Sequence, residues 1–151
     1  GWGGLLGRMV RTTFQSFWGQ FGWMAVPLPS RFYQGLVLLS ILLFAGFVAY
    51  LKRSDLASQP HPLVAVRGLL LALSGLLTFS AFAWYNVTFV QHQGRYLFPA
   101  LIPLATAAAL GLETLASPWP RRLRPWGLIA FFTGLASLDL YCLFKVVLPN
   151  L

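Results

Sequence analysis

The chain has 151 residues, of which 58% are hydrophobic, 16% aromatic and 9% charged, with a formal net charge of +8. A soluble domain carries about a quarter charged residues, so this composition excludes an ordinary soluble domain and indicates a membrane protein. The 11 Lys and Arg residues against 3 acidic ones sit mostly at the ends of apolar runs, where cations orient spans and meet anionic head groups rather than nucleic acid.

The chain opens with GWGG and no methionine, and no signal-peptide layout precedes its first span. It reads as a piece of a longer polytopic protein, or as a processed one. Residues 1–31 form a first unit, an extracytoplasmic interfacial segment. In TTFQSFWGQFGW, Phe14, Phe17, Trp18 and Phe21 recur at helical spacing, while Gln15, Ser16 and Gln20 fall elsewhere on the wheel. The pattern predicts a short amphipathic helix in the interface, started by Thr12 or Thr13 as N-cap, with its rings at head-group depth. A loop packed over the bundle is the alternative. Val26-Pro27-Leu28-Pro29 then breaks the helix and turns the chain into the first span.

A spanning helix needs about 20 mostly apolar residues. Four stretches qualify, at about 32–51, 66–89, 96–116 and 126–148. Residues 32–151 are therefore expected to form a four-helix transmembrane domain, and the fold class is all-α, a polytopic membrane helical bundle. Small residues in TAAALG, with Ser74, Gly75 and Thr78, invite close helix contact. Pro103 is expected to kink the third span. Lys52, Arg53 and Arg67 flank one loop, and Arg121, Arg122 and Arg124 fill another. The positive-inside rule then makes the loops at about 52–66 and 117–125 cytoplasmic. Arg8, Arg11 and Arg31 nearly balance them on the other side.

One polar cluster interrupts the apolar pattern. Residues 91–99 read QHQGRYLFP. Pro99 suits a first helical turn, so Gly94 and Arg95 are expected just before a helix N-terminus, where free N–H groups favour an anion. The guanidinium of Arg95 adds a planar fork that matches phosphate oxygens. Tyr96, Gln91 and Gln93 add neutral hydrogen bonds. The alternative is that Arg95 only snorkels and fixes the helix end. Asp139 lies within the fourth span, where a carboxylate is costly and should face the interior toward a partner. Arg95, Arg31, Tyr85 and Tyr141 are the candidates. Glu113 and Arg67 lie at one level and invite a structural ion pair.

Other chemistry is sparse. His92 and His61 lie on opposite sides of the membrane, so no metal site forms. The lone Cys142 has no partner for a disulfide within the chain. There is no GxSxG, CxxC, P-loop or HExxH, no pair of carboxylates for acid–base work, and no sign of a cofactor. Asn86-Val87-Thr88 is a formal glycosylation sequon at the end of a span.

SFWGQFGWMAVPLP before one span and QGRYLFPALIPLA opening another resemble the C-terminal region of multispanning bacterial membrane proteins in the GT-C glycosyltransferase superfamily. The likeness is to the branch with a GRY-type loop before a late transmembrane helix. It covers most of the chain, and its specific part is Gln93-Gly94-Arg95-Tyr96 with Pro99 and Pro103. It implies transfer of a sugar from a polyprenyl-phosphate donor on the extracytoplasmic side of a bacterial plasma membrane, with Arg95 on the donor phosphate and Tyr96, Gln93, Gln91, Arg31 and Asp139 around it. The carboxylate such enzymes carry in the first outer loop has no counterpart in this chain, so the catalytic residue is unknown. Two readings stand beside it: a non-enzymatic membrane scaffold or accessory subunit, and a small transporter or flippase component. The partners expected are membrane lipids, a polyprenyl-phosphate sugar, and the remainder of the polypeptide or a membrane subunit.

Overall fold

The computed structural model describes residues 2–21, 24–56, 62–89 and 92–150. Five α-helices follow in order: α1 (Trp2–Gly19), α2 (Ser30–Leu56), α3 (Pro62–Thr88), α4 (Leu101–Ala116) and α5 (Arg124–Cys142). A 3₁₀ helix, Gly94–Ala100, leads into α4. The chain continues past α5 through a π-helical turn, Leu143–Val147, and a 3₁₀ turn, Leu148–Asn150. Two short strands, β1 (Gln20–Phe21) and β2 (Val26–Pro27), pair antiparallel between α1 and α2.

Four stretches are long and apolar enough to cross a membrane: Ser30–Arg53, Leu63–Thr88, Gly94–Ala116 and Arg124–Val147. The shortest has 23 residues, above the roughly 20 that a bilayer core requires. The protein is an integral membrane protein with an all-α helical fold.

The tightest pairing is α2 against α4. A methyl group on Gly46 would land on the carbonyl oxygen of Gly111, and one on Gly111 would land on the carbonyl oxygen of Leu43. Two backbones in direct contact gain dispersion and weak Cα–H···O interactions, the usual cohesion of membrane helices. The expected small-residue contact thus forms at Gly111 of TAAALG. Its partner is Gly46 of α2, while Gly75 of α3 faces Pro103 at 3.8 Å.

One end of the bundle is capped by the N-terminal segment. Leu28, Tyr33, Leu36, Cys142 and Val146 form a buried cluster there, with Phe14, Trp18 and Phe21 packed on it. The Tyr33 hydroxyl donates to the Gly19 carbonyl at 2.7 Å and accepts from the Leu28 N–H at 3.0 Å. That one hydroxyl joins the end of α1, the hairpin exit and α2. The rings of Phe32 and Tyr141 lie 5.1 Å apart and help hold the far end of α5 to α2. At the opposite end, Arg53 donates to the Ser117 hydroxyl at 3.0 Å. Arg124 donates to the carbonyls of Ser117 and Trp119 at 2.7 and 3.1 Å, which satisfies backbone acceptors just beyond the C-terminus of α4.

Several expectations need correction. The amphipathic helix begins at Trp2, not at Thr12 or Thr13. Those threonines are interior, and the Ser16 hydroxyl donates to the Thr12 carbonyl at 2.7 Å. The glycines at 3, 4 and 7 obscure the apolar pattern of the first turns. The third span starts as a 3₁₀ helix because Pro99 and Pro103 each lack the N–H an α-helix would direct four residues back. Pro103 falls in the first turn of α4, at the junction between the 3₁₀ and α-helical parts of the span. Glu113 and Arg67 are both exposed, and no ion pair joins them among the described residues.

Candidate functional site

The cavity at the capped end is built from three pieces of chain. The C-terminal half of α1 supplies Ser16, the hairpin supplies Gln20 and Met24, and the segment entering the 3₁₀ helix supplies Gln93 and Arg95. Its volume is about 390 Å³. Ser16 lies in the last turn of α1, and Gln20 follows directly after the helix end in β1, so both border the segment that enters the 3₁₀ helix.

Gly94 sets the closeness of this joint. Its N–H donates to the Ser16 hydroxyl at 2.7 Å. A side chain at Gly94 would collide with the Phe17 backbone, so only glycine admits the contact. The Phe17 and Phe98 rings add an edge-on contact at 6.2 Å. The next free donor expected for an anion is also engaged, since the Tyr96 N–H reaches the Gln93 carbonyl at 3.2 Å. Of the groups expected to meet an anion here, the N–H groups of Gly94 and Tyr96 are therefore already engaged within the protein.

Arg95 is exposed, and its guanidinium carbon lies 5.5 Å from the Tyr96 ring centre. This is a cation–π geometry. Tyr96 in turn rests against Tyr85 of α3, with ring centroids 5.4 Å apart. The arginine is thus backed by a stack of two phenols at the mouth of the third span.

Gln20 is held from the other side. Its amide nitrogen donates to the Met24 carbonyl at 3.0 Å, while its amide oxygen is buried with no partner. Met24 adopts a positive φ of 75°, a conformation that costs a non-glycine residue about 1–2 kcal/mol. The turn therefore carries both strain and an unsatisfied acceptor next to the arginine.

His92 lies just before the cavity. Its Nδ1 is 2.8 Å from the Asn86 amide oxygen, and the Asn86 amide nitrogen donates to the Phe82 carbonyl at 2.9 Å. With the amide oriented by Phe82, its oxygen faces the ring, so Nδ1 carries the proton and donates. No group of three metal-ligating side chains occurs among the described residues. Asn86 is 6% exposed and engaged in both bonds, so the sequon has no accessible acceptor amide in this fold.

Of the residues singled out from sequence, Arg95 and Gln93 line the cavity together and Tyr96 supports Arg95. Gln91 and His61 lie outside the described residues. Arg31 is exposed at the start of α2. Asp139 is exposed on α5 rather than turned inward. It flanks the seam formed by Leu138 and Cys142 instead of entering it, because it is one step of about 100° around the helix from Leu138. Sequence reading missed Ser16, Gln20 and Met24 as partners of Arg95. The polar residues Ser16 and Gln20 among the aromatic residues of 14–21 were the available signal.

No protein-family model matches the chain, and no curated protein or solved structure matches it either.

Proposed function

We propose that this chain is the membrane region of a glycosyltransferase-like protein of the GT-C type. It takes a polyprenyl-phosphate-linked sugar donor on the extracytoplasmic side, and Arg95 contacts the lipid phosphate. The observation that supports this reading is the cavity in which Arg95 and Gln93 meet Ser16, Gln20 and Met24 at the end of a span. A charged planar fork beside neutral hydrogen-bonding groups suits a phosphate attached to a hydroxyl-rich group. A cation fixed there also stabilises the charge that develops on a departing phosphate.

In this reading the loops at about 52–66 and 117–125 are cytoplasmic, consistent with Lys52, Arg53, Arg121, Arg122 and Arg124. The cavity then opens to the outside of a bacterial plasma membrane. The carboxylate for acid–base work comes from another membrane segment, either of the same polypeptide or of a partner subunit.

A scaffold role is the second reading. The seating of Gly94 on Phe17 and Ser16 favours it, since the 92–95 segment then pins α1 whether or not a ligand binds. The transporter reading rests on Asp139, which lies on a side of α5 that the described residues leave uncovered.

The test is saturable binding of a polyprenyl phosphate to purified protein in detergent. Wild type is expected to bind, Arg95→Ala to lose binding, and Arg95→Lys to keep part of it. Equal binding by all three, with lower stability for Arg95→Ala, refutes the phosphate site and leaves the scaffold reading.

A further inference from the structure

A second cleft opens on the opposite side of α1. It has a volume of about 690 Å³ and runs between α1 and α2. Leu6, Gly7, Val10 and Phe14 form the α1 wall, and Tyr33, Val37, Ser40 and Ile41 form the α2 wall. Phe14 and Ser16 point about 200° apart around the helix axis, so this cleft and the Arg95 cavity do not share a face of α1.

The walls offer a ligand almost no polar group. The Tyr33 hydroxyl is committed to Gly19 and Leu28, and the Ser40 hydroxyl donates to the Leu36 carbonyl at 2.7 Å. Both polar side chains on the α2 wall of the cleft thus bond to backbone. The apolar side chains stay open: Val10 is 67% exposed and Ile41 58%. Arg11 and Gln15, one turn apart on α1, complete the lining and make one rim polar and cationic. An apolar trough with a cation at its rim is complementary to an amphiphile with an apolar chain and an anionic end. From Tyr33 to Ile41 the trough follows α2 for about 12 Å, the reach of a fatty-acyl segment rather than of a long polyprenyl chain.

We propose that the α1–α2 cleft is a binding site for an anionic bilayer phospholipid, with one acyl chain between the two helices and its phosphate met by Arg11. Bound lipid would complete the contact between α1 and α2 and set the depth of the interfacial helix. The site is independent of the Arg95 cavity and of the function proposed for it.

The experiment places a photoreactive benzoylphenylalanine at Ile41, with Leu76 on α3, 62% exposed, as the control position. The protein is reconstituted in nanodiscs of equimolar phosphatidylglycerol and phosphatidylcholine, and cross-linked lipids are identified by mass spectrometry. At Ile41, phosphatidylglycerol is expected in several-fold excess, against near parity at Leu76. Arg11→Gln is expected to bring Ile41 to parity, and Arg11→Lys to retain most of the excess. Gly7 has no other atom within 4 Å of where a side chain would start, so Gly7→Phe is expected to fold, fill the cleft and reduce capture of both lipids at Ile41. Parity in the wild type overturns the proposal, as does an excess indifferent to Arg11 or cross-linking to a second copy of the chain. In discs supplemented with a polyprenyl phosphate, preferential capture of that lipid at Ile41 overturns it too. Arg95→Ala is expected to leave the Ile41 pattern unchanged, which separates this site from the one proposed above.

Discussion

Asn86 sets the tautomer of His92. The Phe82 carbonyl claims the amide nitrogen of Asn86 at 2.9 Å, which leaves its oxygen to accept from His92 Nδ1 at 2.8 Å. The neutral ring then carries its lone pair on Nε2. Nitrogen-15 spectra of the protein with labelled histidine are expected to show the Nδ1–H form for His92. Asn86→Leu removes the acceptor and is expected to shift the ring toward the Nε2–H form, with a stability loss of about 1–3 kcal/mol from the broken buried network. A wild-type ring protonated on Nε2 alone would contradict the assignment.

Gly94→Ala tests the joint between α1 and the 3₁₀ helix. The added methyl meets the Phe17 backbone, which cannot yield as a flexible side chain can. Detachment of α1 is the expected outcome, seen as faster amide exchange across residues 12–19 while the four spans keep their protection. Ser16→Ala is the milder counterpart. It removes the acceptor for the Gly94 N–H together with the donation to the Thr12 carbonyl, each worth about 0.5–1.5 kcal/mol, and is expected to raise exchange at Gly94 without detaching the helix.

The two glycines of the α2–α4 seam contrast with a third one. Gly46→Ala and Gly111→Ala each drive a methyl into opposing backbone, so both are expected to separate the helices and destabilise the protein by more than about 1–3 kcal/mol, the usual cost of overpacking. Gly75→Ala meets only Pro103, at 3.8 Å. It is expected to be neutral or stabilising by up to about 1 kcal/mol, because alanine replaces glycine within a helix. Steric-trap unfolding in bicelles ranks the three.

Tyr33→Phe removes the hydroxyl that joins Gly19 to Leu28. The loss leaves the buried Leu28 N–H without an acceptor, at a cost of about 1–3 kcal/mol. Thermal unfolding is expected to move down, and proteolysis at the hairpin is expected to accelerate before the spans open.

The four spans were legible from sequence because a continuous apolar run past the length of a bilayer core has few other readings. Their ends were less so. Helices extend into flanking basic residues such as Arg53, whose long side chain reaches a polar partner from within the last turn. The cavity was half legible. Gln93 and Arg95 stand out as polar residues between apolar runs. Their partner Ser16 lies 78 residues from Gly94, and no local pattern encodes a pairing across that distance. Asp139 misled for a related reason. The rule that an intramembrane carboxylate turns inward holds for a complete set of neighbours, and the described residues leave that side of α5 uncovered.

The 3₁₀ helix also acts as a ruler. A 3₁₀ helix advances about 2.0 Å per residue, against about 1.5 Å for an α-helix. The 7 residues of Gly94–Ala100 therefore climb about 14 Å rather than about 10.5 Å. The difference, about 3.5 Å, is about two-thirds of an α-helical turn, and it raises Gly94 toward the level at which it touches α1. Pro99 and Pro103 act as a length adjustment: the same residues wound as an α-helix would stop short of Ser16, and the arginine would begin below the cavity instead of at its wall.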